Sequence, residues 1–454
     1  MTKSKGILTS LLVILFFTLY GSISLGQTVQ QGLDKPLPAN LTEEELQRLE
    51  EIGQVKAVTP PPEGEFRLPS EYDKADGVIF SWESYYSSLL LELIKAVSEY
   101  DTSFVVVANS TEQSSVENNL EQIGTDLSKV KFIIRNLNSV WMRDYGPWWG
   151  LDESGERFIL DFIYNRPRPL DDAFPQNLAN LWELPYYQPD LVHAGGNFFV
   201  DGKGMGFMTS LVLEENYSFS ESEIREIFQD YAGLDTVVIL TPMQYDGTGH
   251  IDMFCKLLND TTIILGEYEY PSAGAGQNYT ILNQNAQQLH GLVNAEGKPV
   301  SVERIIMPPY SSGTSYTYTN SLIVNDLVLV PLYGFTTDNE ALQLYEDLMP
   351  DHIIQGFDCS QIISANGAIH CITKLVMSEQ KPPIECLEGD LNDDSEINIQ
   401  YIVVMVNIIL GNFDVTPEYL CAGDLNEDGL INVVDVIILV NILLENPKFH
   451  EIWY

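Results

Sequence analysis

Helical and strand-like patterns of apolar residues alternate along the chain from residue 66 to about residue 377. Apolar residues at helical spacing are twice followed by short apolar runs that are typical of buried strands. A further apolar stretch is interrupted at Asn325-Asp326, which predicts a hairpin turn. The alternating segments are 88–100, 103–109, 110–124 and 129–136. This pattern predicts an α/β domain with mixed strand pairing.

Two later helices carry the spacing of a capping box, in which a hydroxyl and a glutamate three residues on exchange hydrogen bonds with the backbone. The pairs are Ser220 with Glu223 and Thr337 with Glu340. Each predicted helix precedes another apolar run, so the order helix then strand continues to the end of the domain.

The N-terminus has the pattern of a targeting segment. Two lysines precede the apolar run 7–20, and small residues stand at positions 24 and 26. This predicts a signal peptide over 1–26 and a secreted, extracellular protein. An uncleaved anchor is the alternative, but the run is short for a membrane span, and no other stretch of the sequence is suited to cross a bilayer.

Residues 27–65, the lead-in segment, connect the signal peptide to the domain. A cap at Thr42 and an acidic first turn predict a short helix. The prolines of 59–65 predict a stiff linker before the main domain, which we place at 66–380.

A tandem repeat follows a second linker and marks a separate module over 386–446. Its two copies begin at Gly389 and Gly423. Cys386 and Cys421 stand at matching places in these copies, so we expect a disulfide between them. With five cysteines in an exported chain, at least one thiol is left unpaired.

The chain is strongly acidic, with 65 Asp and Glu against 23 Lys and Arg, for a formal net charge of −42. Binding to a nucleic-acid backbone requires a basic face, so we expect no nucleic-acid partner. An acidic surface attracts cationic substrates, although solubility and adaptation to salt are equally simple reasons for it.

Candidate chemistry lies between the predicted elements. Cys371 follows His370 in an apolar run, where a cysteine alone is more often buried and inert. His250 and Asp252 are two apart, which on a strand places both side chains on one face. Asp144 lies in an aromatic stretch before a Gly-Pro turn.

These residue types favour a cationic substrate. Two buried carboxylates beside a thiolate repel one another and raise the cysteine pKa, unless a cation binds between them. A guanidinium group is planar and permanently charged, and it forms paired hydrogen bonds with carboxylates. The glycine pair at 195–196 allows close approach of the backbone.

Five polar residues of the candidate motifs are separated by 53, 55, 68 and 51 residues along the domain. This spacing indicates similar structural units around one centre, although no sequence repeat supports it. The residues are Asp144, Asn197, Asp252, Asn320 and Cys371.

The motifs "WMRDYGP", "NRPRP", "GGN", "GHID" and "GAIHCIT" together resemble the bacterial peptidyl-arginine deiminase and agmatine deiminase family of guanidine-modifying enzymes. The resemblance implies a pseudo-five-fold α/β propeller. It also implies that Cys371 attacks the guanidinium carbon, that Asp144 and Asp252 hold its nitrogens, and that His250 transfers protons. Asn320 would orient the substrate and Trp141 would form a wall of the pocket.

Within that family the sequence resembles the peptidyl-arginine branch. Agmatine deiminases carry a glutamate where this chain has Ala194, and they lack the arginine pair Arg166 and Arg168. In the peptidyl-arginine branch such arginines would bind the α-carboxylate of a C-terminal arginine. The expectation is a secreted deiminase of C-terminal peptidyl-arginine that needs no catalytic cofactor. The alternatives are a deiminase of agmatine or another small guanidine, and a non-catalytic binding protein. The alternative for the two arginines is a surface pair bonded to Asp161, Asp171 or Asp172.

The second repeat has oxygen-bearing residues at the spacing of an EF-hand-like calcium loop, with a glycine at the sharp turn. Its predicted ligands are Asp424, Asn426, Asp428, Leu430, Asn432 and Asp435. The first copy offers Asp390, Asn392, Asp394 and Asn398. Because that copy lacks the glycine and the last acidic ligand, we expect it to bind calcium weakly or not at all. The paired loops resemble a dockerin, which implies a cohesin partner, and a calcium-stabilised cap is the alternative.

Overall fold

The computed structural model describes residues 35–54, 56–380, 386–387, 389–392, 397–426 and 428–445. The predicted signal peptide and Asp394 lie outside the described residues. None of the described helices combines the length and the apolar character that crossing a membrane requires.

Five small sheets build the domain that follows the lead-in segment. Each sheet joins an antiparallel strand pair to a third strand that runs parallel to its neighbour. The sheet orders are β1-β5-β6-β7, β10-β9-β8, β11-β12-β13, β14-β15-β16 and β17-β2-β3-β4. The strands are β1 Phe66–Arg67, β2 Ala75–Ser81, β3 Thr102–Val107, β4 Val130–Ile134, β5 Trp148–Asp152, β6 Arg157–Leu160, β7 Tyr186–Tyr187, β8 Phe199–Val200, β9 Met205–Thr209, β10 Thr236–Leu240, β11 Cys255–Asn259, β12 Thr262–Glu267, β13 Ser301–Ile306, β14 Leu322–Val324, β15 Leu327–Leu332, β16 Ile353–Asp358 and β17 Thr373–Met377.

Each parallel connection contains at least one helix, because a chain that returns to run parallel must cross over the sheet. The helices are α1 Ser87–Ser98, α2 Ser110–Gln122, α3 Met142–Tyr145, α4 Pro169–Asp172, α5 Phe174–Trp182, α6 Leu211–Glu215, α7 Glu221–Ala232, α8 Asn278–Leu289, α9 Thr337–Leu348, α10 Gln400–Ile409, α11 Pro417–Gly423 and α12 Val433–Glu445. The mixed α/β class and the alternation predicted for 88–136 are therefore confirmed.

Of the two predicted capping boxes, one forms and the other does not. The capping box at Ser220 and Glu223 is present, and the hairpin turns at Asn325, whose φ is +48°. No capping box forms at Thr337, because its hydroxyl instead lies 2.7 Å from the Tyr318 hydroxyl. The neighbouring Asp338 accepts hydrogen bonds from the backbone of the turn that precedes the helix.

The segments that carry the candidate chemistry are tight turns rather than the predicted strands. Asp252 lies in the 3-10 turn Ile251–Met253, ahead of β11. Cys371 lies in the 3-10 turn His370–Ile372, ahead of β17. Since a turn brings successive side chains toward one side over a short length, it can crowd polar groups in a way that a strand cannot.

The lead-in segment forms two 3-10 turns, Glu45–Gln47 and Leu49–Glu51, in place of the predicted helix. The predicted cap is present, because Thr42 and Glu45 exchange hydrogen bonds at 3.0 and 3.2 Å. Ala39 is fully buried and belongs to the main hydrophobic core.

Helices α10 to α12 belong to the C-terminal module and have an apolar cluster of their own. Leu391, Tyr401, Met405 and Leu439 are among its buried residues. The predicted disulfide between Cys386 and Cys421 is present.

Candidate active site

In each of the five sheets, one buried polar residue lies shortly before a strand that belongs to an antiparallel pair. The five lie two to four residues ahead of β5, β8, β11, β14 and β17, and all are at most 4 % exposed. They are Asp144, Asn197, Asp252, Asn320 and Cys371. The regular spacing seen in the sequence thus reflects the recurrence of one strand pattern.

Cys371 has two polar neighbours. The amide Nδ2 of Asn320 donates to its Sγ at 3.1 Å, and the thiol donates to Oδ2 of Asp252 at 3.5 Å. The side-chain oxygen Oδ1 of Asn320 accepts hydrogen bonds from the backbone N–H groups of Ala368 and Cys371, at 3.1 and 3.3 Å. Because both ends of the amide are engaged, its donor is held toward the sulfur.

A glycine allows the imidazole and the two carboxylates to converge. Nδ1 of His250 lies 3.5 Å from Oδ1 of Asp144. A Cβ added at Gly196 would lie 2.5 Å from Nδ1 of His250, 2.7 Å from Oδ1 of Asp144 and 3.2 Å from Oδ2 of Asp252. Any other residue at 196 would therefore collide with these groups.

Trp141 is buried beside the thiol, as the sequence predicts for a wall of the site. A Cβ added at Gly367 would lie 2.4 Å from the Trp141 ring and 3.1 Å from Sγ of Cys371. The indole N–H donates to the carbonyl of Leu37 at 2.8 Å, so the lead-in segment reaches this wall.

Burial and like charge set the protonation of the centre. Burial raises the pKa of Asp144 to about 6, and burial with the Asp144 charge raises the pKa of Asp252 well above its usual range. Burial and the two carboxylates raise the pKa of the Cys371 thiol, while burial and the Arg166 charge lower the pKa of His250. All four shifts favour neutral forms, which a bound cation would reverse at the carboxylates and the thiol.

Several polar atoms of this centre are buried without a hydrogen-bond partner among the described residues. They are Oδ1 of Asp144, Oδ1 of Asp252 and both ring nitrogens of His250. Buried polar atoms are nearly always paired in folded proteins, so such a cluster indicates the place of a ligand.

A second layer supports Asp252, and sequence reasoning missed most of it. His370 joins Oδ2 of Asp252 at 2.7 Å to Oε2 of Glu71 at 2.8 Å. Glu71 also pairs with Arg143 at 3.2 Å and with Lys256. A lysine within the otherwise apolar β11 was the available signal. The place of His370 between two carboxylates is that of a supporting residue.

One further histidine and one further cysteine are buried away from this centre. The ring of His193 packs against Phe162, Phe198 and Phe228, and burial lowers its pKa to about 3. Cys255 is fully buried in β11 and is not disulfide-bonded. Neither residue joins the polar centre.

The arginine pair is buried, so the alternative of a surface pair is wrong. Arg168 donates from Nε and Nη2 to the carboxylate of Glu45, at 2.7 and 3.1 Å. Arg166 donates to the carbonyls of Ala39 and Asn165, at 3.0 and 3.1 Å. The aspartates that were considered as partners are engaged elsewhere: Asp161 and Asp172 with Lys56, and Asp171 with Ser139.

The second calcium-like loop has a compact polar interior. Gly429 has a φ of +83°, as the sharp turn requires. Asp424 accepts from the backbone of Asp428 and Gly429, and Asp435 accepts from that of Leu425, Asn426 and Asn432. Within the described part of the chain, no group of three His, Cys, Asp or Glu residues is arranged to hold a metal.

The first loop differs at its last position. The hydroxyl of Tyr401 bonds to the side-chain oxygen of Asn392, where an acidic ligand would otherwise stand. Asp390 is buried, and the side chain of Asn398 accepts from the backbone of Gln400.

The mixed α/β fold and its buried thiol, imidazole and pair of carboxylates define the class of protein. It has a hydrolytic centre that is suited to a cationic group. The chain belongs to the Porphyromonas-type peptidyl-arginine deiminase family, whose profile matches residues 67–376. Members of this family are deiminases, which hydrolyse C–N bonds of amidines.

Relatives and solved structures cover most of the chain at low identity. A putative agmatine deiminase of Enterococcus faecalis is 25% identical over 368 residues, which is 70% of this chain and 96% of that protein. A putative agmatine deiminase of Vibrio parahaemolyticus is 23% identical over 361 residues, which is 71% of this chain and 99% of that protein.

Two solved structures show the same fold. The putative arginine deiminase of Porphyromonas gingivalis matches with a TM-score of 0.62 at 22% identity, over 70% of this chain and 99% of that one. The agmatine deiminase of Enterococcus faecalis matches with a TM-score of 0.62 at 22% identity, over 71% of this chain and 100% of that one.

Proposed function

We propose that this chain is a cysteine-dependent deiminase of a small guanidine such as agmatine, and that it releases ammonia and the corresponding ureido compound. One observation carries the proposal. Asp144, Asp252 and His250 present unpartnered buried atoms around one point, next to the thiol of Cys371. A guanidinium group would supply the missing donors and the missing positive charge.

In the first step, the sulfur of Cys371 attacks the guanidinium carbon. Cation binding between Asp144 and Asp252 lowers the pKa of the thiol, and Asn320 donates to the sulfur as it gains charge. The thiol hydrogen leaves with one amino group as ammonia, with His250 as the proton relay. The product is a thiouronium intermediate that retains one positive charge.

In the second step, water adds to the thiouronium carbon and the C–S bond breaks. The water oxygen becomes the ureido oxygen, one of its hydrogens returns to the sulfur, and the other is released as a proton. Since burial lowers the pKa of His250, the imidazole is neutral and able to accept that proton.

The pairing of Arg168 with Glu45 favours a small guanidine over a peptide as the substrate. Its guanidinium already binds the carboxylate of Glu45, so it has no free pair of donors for a substrate carboxylate. Glu215 adds acidic character near Arg166, because one of its oxygens accepts from Asn165 and the other has no partner among the described residues. Ala194 stands where the resemblance to agmatine deiminases would place a glutamate.

C-terminal peptidyl-arginine is the second candidate, and the state of Arg166 favours it. In the described part of the chain, no carboxylate oxygen lies within 4 Å of the Arg166 guanidinium. A substrate carboxylate would complete that pairing.

Three substrates separate these candidates: agmatine, a peptide that ends in arginine with a free carboxylate, and the same peptide with an amidated end. Formation of ureido product is measured at equal concentrations. Preference for agmatine supports the first candidate, and preference for the free acid over the amide supports the second. If no substrate yields product, while a control deiminase is active in the same assay, the catalytic proposal is wrong.

We also propose that the five sheets form a pseudo-five-fold propeller around the polar centre. The support is the strand pattern that the five sheets share. In each sheet, one residue of the polar centre lies just before a strand of an antiparallel pair. The order of sheets is testable in a crystal structure of the protein.

We propose that the protein is secreted, and that the C-terminal module binds calcium through its second loop and docks a cohesin-type partner. The arrangement of Asp424, Asn426, Asp428 and Asp435 around Gly429 supports the calcium site. Apolar side chains exposed on the module support docking: Ile399, Val403, Leu410, Val433, Ile437 and Leu444. Calcium titration followed by binding to an isolated cohesin tests both.

A further inference from the structure

Residues 37–45 of the lead-in segment lie directly on three of the four residues that the sequence assigns to substrate binding. Trp141, Arg166 and Arg168 donate to the carbonyls of Leu37, Ala39 and Pro38, at 2.8, 3.0 and 2.7 Å. This part of the chain therefore takes up hydrogen-bonding groups that would otherwise face a substrate.

The segment is fixed on its other side by the loop ahead of Cys371. The backbone N–H of Ala39 donates to the carbonyl of Ala365 at 2.9 Å. The side chain of Asn366 donates to Oδ1 of Asn40 at 2.7 Å. Contacts on both sides hold the segment between the arginine pair and the cysteine loop.

Glu45 places a carboxylate on Arg168 in the fork geometry that a substrate carboxylate would adopt. Both side chains are at most 5 % exposed, so water competes little for the pair. The backbone of Thr42 donates to the same carboxylate at 3.0 Å and fixes its orientation. Burial raises the pKa of Glu45, but the hydrogen bonds and charge of Arg168 outweigh it, and the pKa lies below its usual value.

We infer that Glu45 is a specificity-determining residue: it occupies Arg168 in place of a substrate carboxylate and so restricts the site to guanidines without one. The inference rests on the proposed deiminase function. It separates the roles of the two arginines, because Arg168 binds the protein's own carboxylate, and Arg166 keeps its charge unpaired within the described chain.

The test compares Glu45→Gln with Glu43→Gln, which removes the same charge from an exposed position of the same segment. For each protein, kcat and KM are measured with agmatine and with an arginine-ending peptide acid. Glu45→Gln should raise the ratio of kcat/KM for the acid over agmatine by at least about tenfold. The kcat for agmatine should stay within about twofold, and Glu43→Gln should match the parent protein.

Glu45→Asp guards against a folding effect, because it keeps the charge and shortens the side chain by one methylene. An intermediate ratio with an unchanged melting temperature supports the inference. An unchanged ratio in the folded Glu45→Gln protein overturns it, as does an equal loss of activity on both substrates.

Binding distinguishes failure of this inference from failure of the proposed function. In Cys371→Ala protein, Nα-acetylarginine and agmatine are titrated by calorimetry with and without Glu45→Gln. If no protein forms ureido product but Glu45→Gln gains affinity for acetylarginine, the inference holds and the deiminase proposal fails. If turnover is present and neither ratio nor affinity changes, only the inference fails.

Discussion

The polar centre around Cys371 and the arginine pair lie in the same domain and are both buried, but they differ in how their polar atoms are paired. At the centre, atoms of Asp144, Asp252 and His250 have no partner in the described chain. At the pair, Arg168 is bound by Glu45, and Arg166 by backbone carbonyls. The comparison teaches that a buried polar atom without a partner indicates where a ligand binds. A buried polar atom with a partner shows that the protein itself supplies the hydrogen bond.

The strongest test of the polar centre is removal of the sulfur. Cys371→Ser should lower ureido product formation by at least about a thousandfold, because a hydroxyl at this place is a far weaker nucleophile than a thiolate. The melting temperature should change little, since the two side chains are similar in size. Retained turnover by the serine protein would show that Cys371 is not the nucleophile.

The arginine pair should respond in stability more than in chemistry. Arg168→Ala should cost about 3 kcal/mol of unfolding free energy, because it leaves Glu45 buried without its cation. Arg166→Ala removes only bonds to carbonyls and should cost about 1 kcal/mol. Chemical denaturation measures both. Adding Glu45→Ala to Arg168→Ala should recover part of the loss, and equal losses for the two arginines would contradict the comparison.

Measurements at several pH values separate the polar centre from the arginine pair, because the pKa of Asp144 is raised and that of Glu45 is lowered. Asp144 has a pKa of about 6 in the free protein and must lose its proton to hold a cation. Burial and the Asp144 charge also raise the pKa of Asp252, which must lose its proton as well. The affinity of Cys371→Ser protein for agmatine should therefore fall by at least about tenfold from pH 7 to pH 5. Calorimetry in two buffers of different ionisation enthalpy should show proton release on binding.

Other groups near Asp144 contribute to this profile in known directions. Burial raises the pKa of Glu215 to about 7, and the charges of Arg166 and Arg168 act against the rise at Asp144. Glu45, with its lowered pKa, stays ionised over the same range. Affinity that is flat between pH 5 and 7 would show that Asp144 is already ionised before the cation binds.

The smallest effect on activity is expected from calcium. Removal of calcium with a chelator should leave ureido product formation within about twofold, because the predicted ligands belong to the C-terminal module. It should lower the melting temperature of that module, and Asp435→Ala should abolish this response. A large loss of activity on chelation would connect the module to the polar centre.

The sequence predicted Cys371, Asp144, His250 and Asp252 as one site from their residue types. Asn320 was added through the resemblance to the deiminase family. Their exact backbone setting was not predictable, since a 3-10 turn and a strand end look alike over three residues. The predicted shared strand face of His250 and Asp252 is instead a turn.

The partner of Arg168 could not be predicted from sequence. Glu45 lies 123 residues away and is one of several glutamates in a segment that was predicted only as a short helix ahead of the domain. Glu71 was missed for the same reason: its cations reach it from separate elements, Arg143 from α3 and Lys256 from β11. Long-range ion pairs leave no local pattern, whereas capping and turn residues do.

The pairing of β17 with β2 joins the end of the domain to its beginning, with Thr373 opposite Phe80. During synthesis the carboxylates leave the ribosome long before the sulfur does. A nascent chain that stops short of residue 371 lacks both Cys371 and the strand that completes the sheet containing β2. The proposed nucleophile and the last strand of that sheet are therefore acquired together, at the last step of making the domain.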